Sequence, residues 1–150
     1  MSLKQRLHDD LTAAIKGRDT VRTATLRMAL AAISTEEVAG KQARELSDDD
    51  VLTVLTREAK KRREAAEAFD GAGRGELADN ERAEQAVLED YLPAQLSDEE
   101  VASLVSAAIA ETGAAGMPGM GKVMKAVTPQ VAGRADGARV AAEVRRQLGA

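Results

Sequence analysis

The sequence contains no cysteine and a single histidine, and this scarcity excludes several kinds of chemistry. Without cysteine the chain cannot form a disulfide, use a thiolate nucleophile or bind a metal through sulfur. His8 is followed by Asp9 and Asp10 on a polar stretch, where an imidazole is most often solvated. The other available ligands are carboxylates and carbonyls, which do not favour a transition metal. We therefore expect no metal site and no cofactor.

Aromatic residues are nearly missing as well, with one Phe, one Tyr and no Trp in 150 residues, of which 44% are hydrophobic. Alanine, leucine and valine must therefore pack the core. Alanine-rich segments form stable helices and let neighbouring helices approach closely, so the composition predicts an all-α protein. The same scarcity leaves no aromatic platform on which single-stranded bases could stack.

Long apolar runs are absent too. The N-terminal stretch M-S-L-K-Q-R-L-H-D-D carries charges where a signal peptide needs an apolar segment, and nothing downstream has the composition of a membrane span. We expect a cytoplasmic protein with no membrane partner. A net charge of −4 argues against a non-specific nucleic-acid coat, whose signature is a basic excess. The charge balance does not exclude a local basic face.

Capping residues and apolar spacing mark the helices. Ser2 with Gln5 predicts a capping box, and we expect Gly17 to end the first helix. The second helix is predicted between Asp19 and Gly40, the third begins at Ser47 and runs to Phe69, and the fourth stops at Pro93. The apolar residues that mark the first, second and fourth helices are Leu3, Leu7, Leu11 and Ile15 at fourfold spacing; Leu26, Leu30 and Ile33 along one stripe; and Leu77, Leu88, Tyr91 and Leu92.

The six residues Y-L-P-A-Q-L, from Tyr91 to Leu96, are predicted to form a hinge, because proline disfavours helix at the residue before it. Ser97 and Glu100 then form a capping box for a fifth helix, which Gly113 ends. We therefore predict an N-terminal helical domain of about four helices over residues 1–95. A small three-helix domain is predicted over residues 96–150.

The run G-M-P-G-M-G-K-V, from Gly116 to Val123, is nearly a phosphate-binding P-loop. A P-loop needs a strand before it and Ser or Thr after its lysine, whereas here the preceding segment has helical periodicity and position 123 is valine. We predict instead a helix that begins at Met120, with no nucleotide cofactor. Its apolar stripe would be Met120, Val123, Met124, Val127 and Val131, with Lys122 and Lys125 on the opposite face.

Two features of the last 25 residues concern helix ends. Pro129 must either kink this helix or restart it with Thr128 as a new cap, and both alternatives stay open. Gly133 is expected to end a helix, and Asp136 to cap the last one. The buried stripe of that last helix would be Val140, Ala141, Val144 and Leu148, with Arg139 and Arg146 outside.

Two charge clusters have structural interpretations. The acids Asp48–Asp50 follow the cap Ser47, and acids in a first helical turn interact favourably with the helix dipole, so we do not predict a metal site there. The basic run Lys60–Arg63 could contact RNA. However, it has glutamates four residues before or after three of its members, which favours a solvated, self-paired helix face.

Four basic residues near the C-terminus form the candidate binding set. Arg134 is within reach of Asp136 and could simply fix the turn. Alternatively, Lys122, Lys125, Arg134 and Arg139 converge on phosphates. Spacing alone favours solvated side chains, since a charged helix face usually has no ligand.

Six stretches resemble the GatB/YqeY family, in order and over nearly the whole chain. M-G-K-V-M-K-A-V-T-P from Met120 and G-R-A-D-G-A-R-V from Gly133 are similar to its C-terminal domain. The first half is similar to stand-alone YqeY proteins through T-L-R-M-A-L-A-A-I, R-R-E-A-A-E-A-F, G-R-G-E-L-A and E-D-Y-L-P-A-Q-L-S. The resemblance implies structural roles for the motif residues Gly121, Pro129, Gly133, Asp136 and Gly137.

What the resemblance implies about function is binding rather than catalysis. In the tRNA-dependent amidotransferase, the related domain is the tail of the B subunit and helps to grip tRNA. The family label of carbon–nitrogen ligase with glutamine as amido donor belongs to that larger protein. Its kinase-like domain and its amidase subunit have no counterpart here, so we expect no catalytic residue.

Three interpretations follow, of which the first is preferred, and an amidotransferase in its own right ranks last because the sequence shows no catalytic group. The first is a tRNA-associated helical binding protein, which would recognise RNA by shape and phosphates and needs no aromatic residues. The second is a protein-interaction module that docks on an amidotransferase or aminoacyl-tRNA synthetase subunit. The acidic balance favours the second somewhat.

Overall fold

The computed structural model describes residues 1–149, and within them the chain forms seven α-helices, one short 3-10 turn and no strand. The all-α prediction is confirmed. The helices are α1 (Leu3–Lys16), α2 (Thr20–Glu37), α3 (Asp48–Gly71), α4 (Gly75–Glu89), α5 (Asp98–Thr112), α6 (Met120–Val131) and α7 (Gly137–Gly149). They fall into an N-terminal unit, Met1–Leu92, and a C-terminal unit that begins at Pro93.

Side-chain caps begin three helices of the N-terminal unit as predicted. Ser2 Oγ accepts from the backbone N–H of Gln5 at 3.1 Å, Asp19 caps α2, and Ser47 forms a full capping box with Asp50. The second bond of the predicted capping box, between the Gln5 side chain and the backbone of Ser2, is not formed, so this part of the prediction is wrong. The Gln5 amide donates instead to Asp9 at 3.0 Å, one turn further along α1.

Two helices of this unit end earlier than predicted. The first ends at Lys16, just before Gly17 as expected, but α2 ends at Glu37 rather than at Gly40. The fourth ends at Glu89 rather than at Pro93. Tyr91 and Leu92 follow in a tighter turn, because their N–H groups bond to carbonyls three residues back instead of four.

The core of the N-terminal unit is built mainly from leucine. Its buried residues include Leu7, Leu26, Leu30, Ile33, Leu55, Leu88 and Tyr91. Ile15, the last residue of the fourfold-spaced series on α1, is 48% exposed, and the neighbouring Ala14 is buried. Each step of four residues turns about 40° around a helix, so a stripe with fourfold spacing rotates away from the core within three steps. Leu77, in the first turn of α4, is also exposed, and Ala78 is buried beside it.

The core of the C-terminal unit is built mainly from valine. Helices α5, α6 and α7 enclose Val101, Val105, Val123, Val127, Val131, Val140, Val144 and Leu148. The predicted capping box of Ser97 and Glu100 is present, and Gly113 ends α5 in the left-handed conformation at φ +67°. Asp136 Oδ1 accepts from the N–H of Ala138 at 3.0 Å, which confirms the predicted cap of α7.

The glycine-rich run that begins at Gly116 leads into helix α6. Met117–Gly119 forms the 3-10 turn and α6 begins at Met120, as predicted. Gly119 lies so close to Ala114 that a Cβ at position 119 would be 2.7 Å from the Ala114 Cβ. Only glycine therefore fits there without displacement of its neighbour.

Pro129 lies inside α6, which continues to Val131, so no new helix begins at this proline. The hydroxyl of Thr128 donates to the carbonyl of Met124 at 2.7 Å, a bond within the helix and not a new cap. Of the two alternatives, the restart is wrong. No helix in the described part of the chain is long and apolar enough to cross a membrane.

Candidate nucleic-acid interface

Positive and negative charges occupy different parts of the C-terminal unit. Helix α5 carries four acids and no base, namely Asp98, Glu99, Glu100 and Glu111. From Met120 onward there are six bases against two acids, Asp136 and Glu143. The unit as a whole is neutral, so the net charge of −4 falls on the N-terminal unit. Its positive half is α6, α7 and the turn between them.

Lys122 and Lys125 lie on the exposed side of α6, as predicted. On the same helix Val123 and Val127 are completely buried, so the helix presents its apolar stripe to the core and its lysines to solvent. Within residues 1–149 neither lysine forms an ion pair. Two residues three positions apart on a helix have neighbouring side chains, so the lysines form one small positive patch.

Arg139, on α7, donates hydrogen bonds to residues of its own unit. Its Nε donates to Asp98 Oδ1 at 2.9 Å, and its Nη2 donates to the carbonyl of Leu96 at 2.6 Å. Its side chain is 34% exposed, and that of Asp98 is 94% exposed. The guanidinium therefore fastens the start of α5 to α7 while one edge of it faces solvent.

Arg134, in the turn between α6 and α7, contacts the same segment. Its Nε donates to the carbonyl of Ala94 at 3.3 Å, and its own carbonyl accepts from the N–H of Leu96 at 2.8 Å. The structure thus brings Arg134 and Arg139 together on residues 94–98. It places Lys122 and Lys125 together on α6.

Arg134 also lines a surface cleft of about 480 Å³ on α5, together with Leu96, Ser97, Glu99, Glu100, Ser103 and Leu104. The pKa of Glu100 is lowered, first by the bond from the Ser97 N–H and also by the positive charge of Arg134. Glu100 is therefore anionic at neutral pH, and Arg134 makes the smallest contribution to the lowering of its pKa. Of the four candidates, Arg139 alone forms an ion pair within residues 1–149, Arg134 donates to a backbone carbonyl, and Lys122 and Lys125 form neither kind of bond there.

The prediction that the basic run Lys60–Arg63 forms a solvated helix face is wrong for one of its members. Arg62 is not on a solvated face: it is 5% exposed and pairs with Glu58 at 3.2 Å and with Glu84 of α4 at 3.5 Å. Lys61, by contrast, is exposed and pairs with Glu58 at 3.0 Å. The available signal was periodicity, because Arg62 lies seven residues after the buried Leu55, which places both on the same face of α3.

Tyr91 is the second residue whose role the sequence did not reveal. Its hydroxyl donates to Asp10 at 2.5 Å and accepts from Arg22 at 3.2 Å, and the guanidinium of Arg6 lies 4.9 Å from the ring centroid. Burial and the bond to Asp10 raise the pKa of Tyr91 to about 12. A buried tyrosine needs a partner for its hydroxyl, and this need was the available signal.

The acidic cluster at the start of α3 is used for capping. Asp48 accepts from the N–H of Leu3 at 2.9 Å, and Asp50 accepts from Arg44 at 2.9 Å and from Ser47. Arg44 and the bonds from Ser47 lower the pKa of Asp50. Within residues 1–149 no three His, Asp or Glu side chains lie close enough together to hold a metal ion.

The chain is similar to a known protein family. The sequence model of a family described as Yqey-like protein matches residues 4–148, nearly the whole chain. No curated protein matches the sequence. The match includes both units and all four candidate basic residues.

Proposed function

The chain belongs to the Yqey-like protein family, and on that premise we propose that it is a non-catalytic, tRNA-associated binding protein. The observation that carries the proposal is the pair Lys122 and Lys125, exposed on α6 without a counter-ion among the described residues. The similarity of the surrounding motif to the tail of the amidotransferase B subunit supports tRNA as the nucleic acid. That RNA would place the protein in the cytoplasm.

The chemistry of the patch suits recognition of the RNA backbone. Lysine ammonium groups bind phosphates as point charges, and they can follow the shape of a folded RNA without reading its bases. Arg134 and Arg139 are the secondary contacts of this proposal. Both already donate to residues 94–98, so they would add positive charge and fewer new hydrogen bonds.

We propose no catalytic role. Transfer of an amide from glutamine, the chemistry of the larger enzyme, requires an activated nucleophile and a phosphate site. The one P-loop-like run of this chain is a 3-10 turn and a helix start, with valine where Mg²⁺ would need a hydroxyl ligand. The chain would therefore act on tRNA by binding, alone or beside an amidotransferase.

The second candidate function is docking on an amidotransferase or aminoacyl-tRNA synthetase subunit. The acidic surface of α5 favours it, because four carboxylates without a base on that helix repel RNA and suit a basic protein surface. This function needs α5, whereas tRNA binding needs α6. The two functions can therefore be separated by mutation.

The test is binding of bulk tRNA and of double-stranded DNA of similar length at two salt concentrations, measured by electrophoretic shift. We expect tRNA to be preferred and its affinity to fall as salt rises, because phosphate contacts release counterions. The double variant Lys122→Glu/Lys125→Glu should bind tRNA at least tenfold more weakly, about 1.4 kcal/mol.

The control is Lys16→Glu/Lys41→Glu, which changes the net charge equally at two exposed sites of the N-terminal unit. Equal losses in both double variants would mean a non-specific charge effect and would remove the α6 patch from the proposal. No preference of the parent for tRNA would leave docking as the better function.

A further inference from the structure

The end of α3 and the start of α4, residues 64–83, form a two-helix arm outside the core of the N-terminal unit. Among the described residues, no member of the core cluster lies between Ala59 on α3 and Val87 on α4. Within the arm only Ala66 and Ala78 are buried. The arm is therefore built around two small side chains and has little apolar core of its own.

The buried face of each helix continues onto the arm, where it is uncovered. On α3, Phe69 follows Arg62 by seven residues and Leu55 by fourteen, so the three lie on one face. On α4, Leu77 precedes Leu88 by eleven residues and shares its face in the same way. Leu55 and Leu88 are completely buried, whereas Phe69 is half-buried and Leu77 is 42% exposed. The face that packs inside the unit is therefore open at the tip of the arm.

A third apolar side chain lies at the other end of this open face. Met28 of α2 is 49% exposed, and its Sδ accepts from Nη2 of Arg62 at 3.5 Å. From Arg62 to Phe69 is a length of about 10 Å along α3. Met28, Phe69 and Leu77 therefore belong to one apolar surface that runs from the base of the arm to its tip.

The charge changes sign along the same length. Residues 57–63 of α3, at the base of the arm, contain five bases and one acid, and the arm contains six acids and two bases. Arg57 and Lys61 of the base are exposed, and Glu76 and Glu81 of the arm lie beside Leu77 and one turn after it. The two bases pair with glutamates of their own unit, but exposed pairs contribute little and can exchange partners.

We propose that this surface is the interface of a dimer, in which the arm of one copy lies antiparallel on the base of the other. The arrangement covers Phe69 and Leu77 of each copy with the region of Met28 in the other. It also places each acidic arm against a basic base, whereas a parallel arrangement would place acids against acids. A surface with opposite charges at its two ends is complementary to its own copy, as a two-fold interface requires. Because the surface is short, the dimer should be weak and reversible.

The first test is analytical ultracentrifugation of the full chain over a wide range of concentrations. The mean mass of the parent should rise from that of one chain toward that of two. Leu77→Ala should raise the dissociation constant by about tenfold or more, because the two-fold symmetry removes the apolar contact twice. Alanine favours helix at this exposed position, so the fold should be kept.

The matched control is Ile15→Ala, at a position of α1 that is 48% exposed and lies outside the proposed interface. Its dissociation constant should equal that of the parent. A parent that stays monomeric at every concentration would overturn the proposal. Equal weakening in Leu77→Ala and Ile15→Ala would overturn it as well, since the loss would not belong to the arm.

The second test exchanges the charges of the two ends. Lys61→Glu at the base and Glu81→Lys in the arm should each prevent the dimer, because like charges would then face each other twice. An equimolar mixture of the two variants should dimerise again with a dissociation constant near that of the parent. In the mixed dimer both contacts join opposite charges. Recovery of this kind cannot come from a restored fold, because each chain keeps its own substitution.

Circular dichroism checks that each variant is folded. Arg57→Glu and Glu76→Lys, both at exposed positions, replace the first pair if either of its members is not. Folded single variants that dimerise like the parent would overturn the proposed interface. A mixture that stays monomeric would overturn the antiparallel arrangement on which the proposal depends.

Discussion

The cores of the two units are packed from different residue types. Among the described residues, the buried polar side chains Thr25, Glu58 and Arg62 all lie in the N-terminal unit, and the C-terminal unit buries only apolar ones. The N-terminal core is rich in leucine and also contains the hydroxyl of Tyr91, while the C-terminal core is mostly valine. The unit with the exposed lysine pair is thus the one with no charged residue in its core cluster.

The difference indicates what each set of charges does. In the N-terminal unit the pair of α3 and α4 is joined by Arg62, which pairs with a glutamate on each helix. A buried ion pair is weak evidence for high stability, but removal of one partner is costly because the other charge is left uncompensated. Charges there fix the structure. In the C-terminal unit, the two lysines of α6 are exposed and form no ion pair within residues 1–149.

Arg62→Ala should have the largest effect on stability. It removes the buried cation from Glu84 and from Glu58, of which Glu58 keeps the exposed Lys61, and the side chains of Glu58 and Glu84 are only 10% and 15% exposed. We expect a loss of about 3–5 kcal/mol in the free energy of unfolding. Urea denaturation followed by circular dichroism measures the loss, and hydrogen exchange should locate it in α3 and α4.

The matched control for Arg62 is its neighbour. Lys61→Ala also removes a partner of Glu58, but Lys61 is 71% exposed, so the cost should be below about 1 kcal/mol. Equal losses in the two variants would show that the buried arginine is not special. Loss of protection in α5 to α7 as well would show that the two units do not unfold separately, against the prediction of two domains.

Gly119→Ala should have the next largest effect, and in the other unit. The new Cβ would meet the Ala114 Cβ at 2.7 Å, and such overpacking costs about 1–3 kcal/mol. Hydrogen exchange should show the loss in α5 to α7 and not in α1 to α4.

Gly121→Ala is the control for Gly119, two residues further along the same segment. Nothing lies within 4 Å of a Cβ at position 121, and alanine favours helix over glycine by about 1 kcal/mol. This variant should be neutral or more stable than the parent. A destabilised Gly121→Ala would mean that the family motif needs this glycine for a reason other than space.

Local features of the fold could be predicted from the sequence and distant ones could not. Ser47, Ser97 and Asp136 begin their helices as predicted, because a cap bonds within two or three residues of itself. The hydrogen bond of Tyr91 could not be predicted, because its partner Asp10 is 81 residues away on α1. The burial of Arg62 could have been predicted from its spacing to Leu55, whereas its partner Glu84 could not, since that residue belongs to a different helix.

In the candidate site, too, local features could be predicted from the sequence and distant contacts could not. The exposure of Lys122 and Lys125 follows from the helical period, since the valines between and beside them must face the core. The roles of Arg134 and Arg139 could not be predicted, because the carbonyls that they bind lie 40 and 43 residues earlier in the chain. Whether the lysines bind RNA stays a prediction.

The smallest effect is expected from ionisation of Tyr91, and it tests the polar contacts of the N-terminal unit. Burial and the bond to Asp10 disfavour the phenolate, so the folded pKa of about 12 lies above the ordinary value near 10. The stabilisation is therefore complete below about pH 10 and is lost as the pH rises toward 12. Since the chain has one tyrosine and no tryptophan, phenolate absorbance near 295 nm reports this residue alone.

The folded chain should titrate near pH 12, and the urea-unfolded chain near pH 10. In Asp10→Asn the midpoint should fall but stay above the unfolded value, because the carboxylate is removed while the ring stays buried. A native midpoint near 10 would mean that solvent reaches the hydroxyl and that the Asp10–Tyr91 contact is not maintained. Tyr91 would then no longer anchor the end of the N-terminal unit, and the connection to Pro93 would be freer than its contacts indicate.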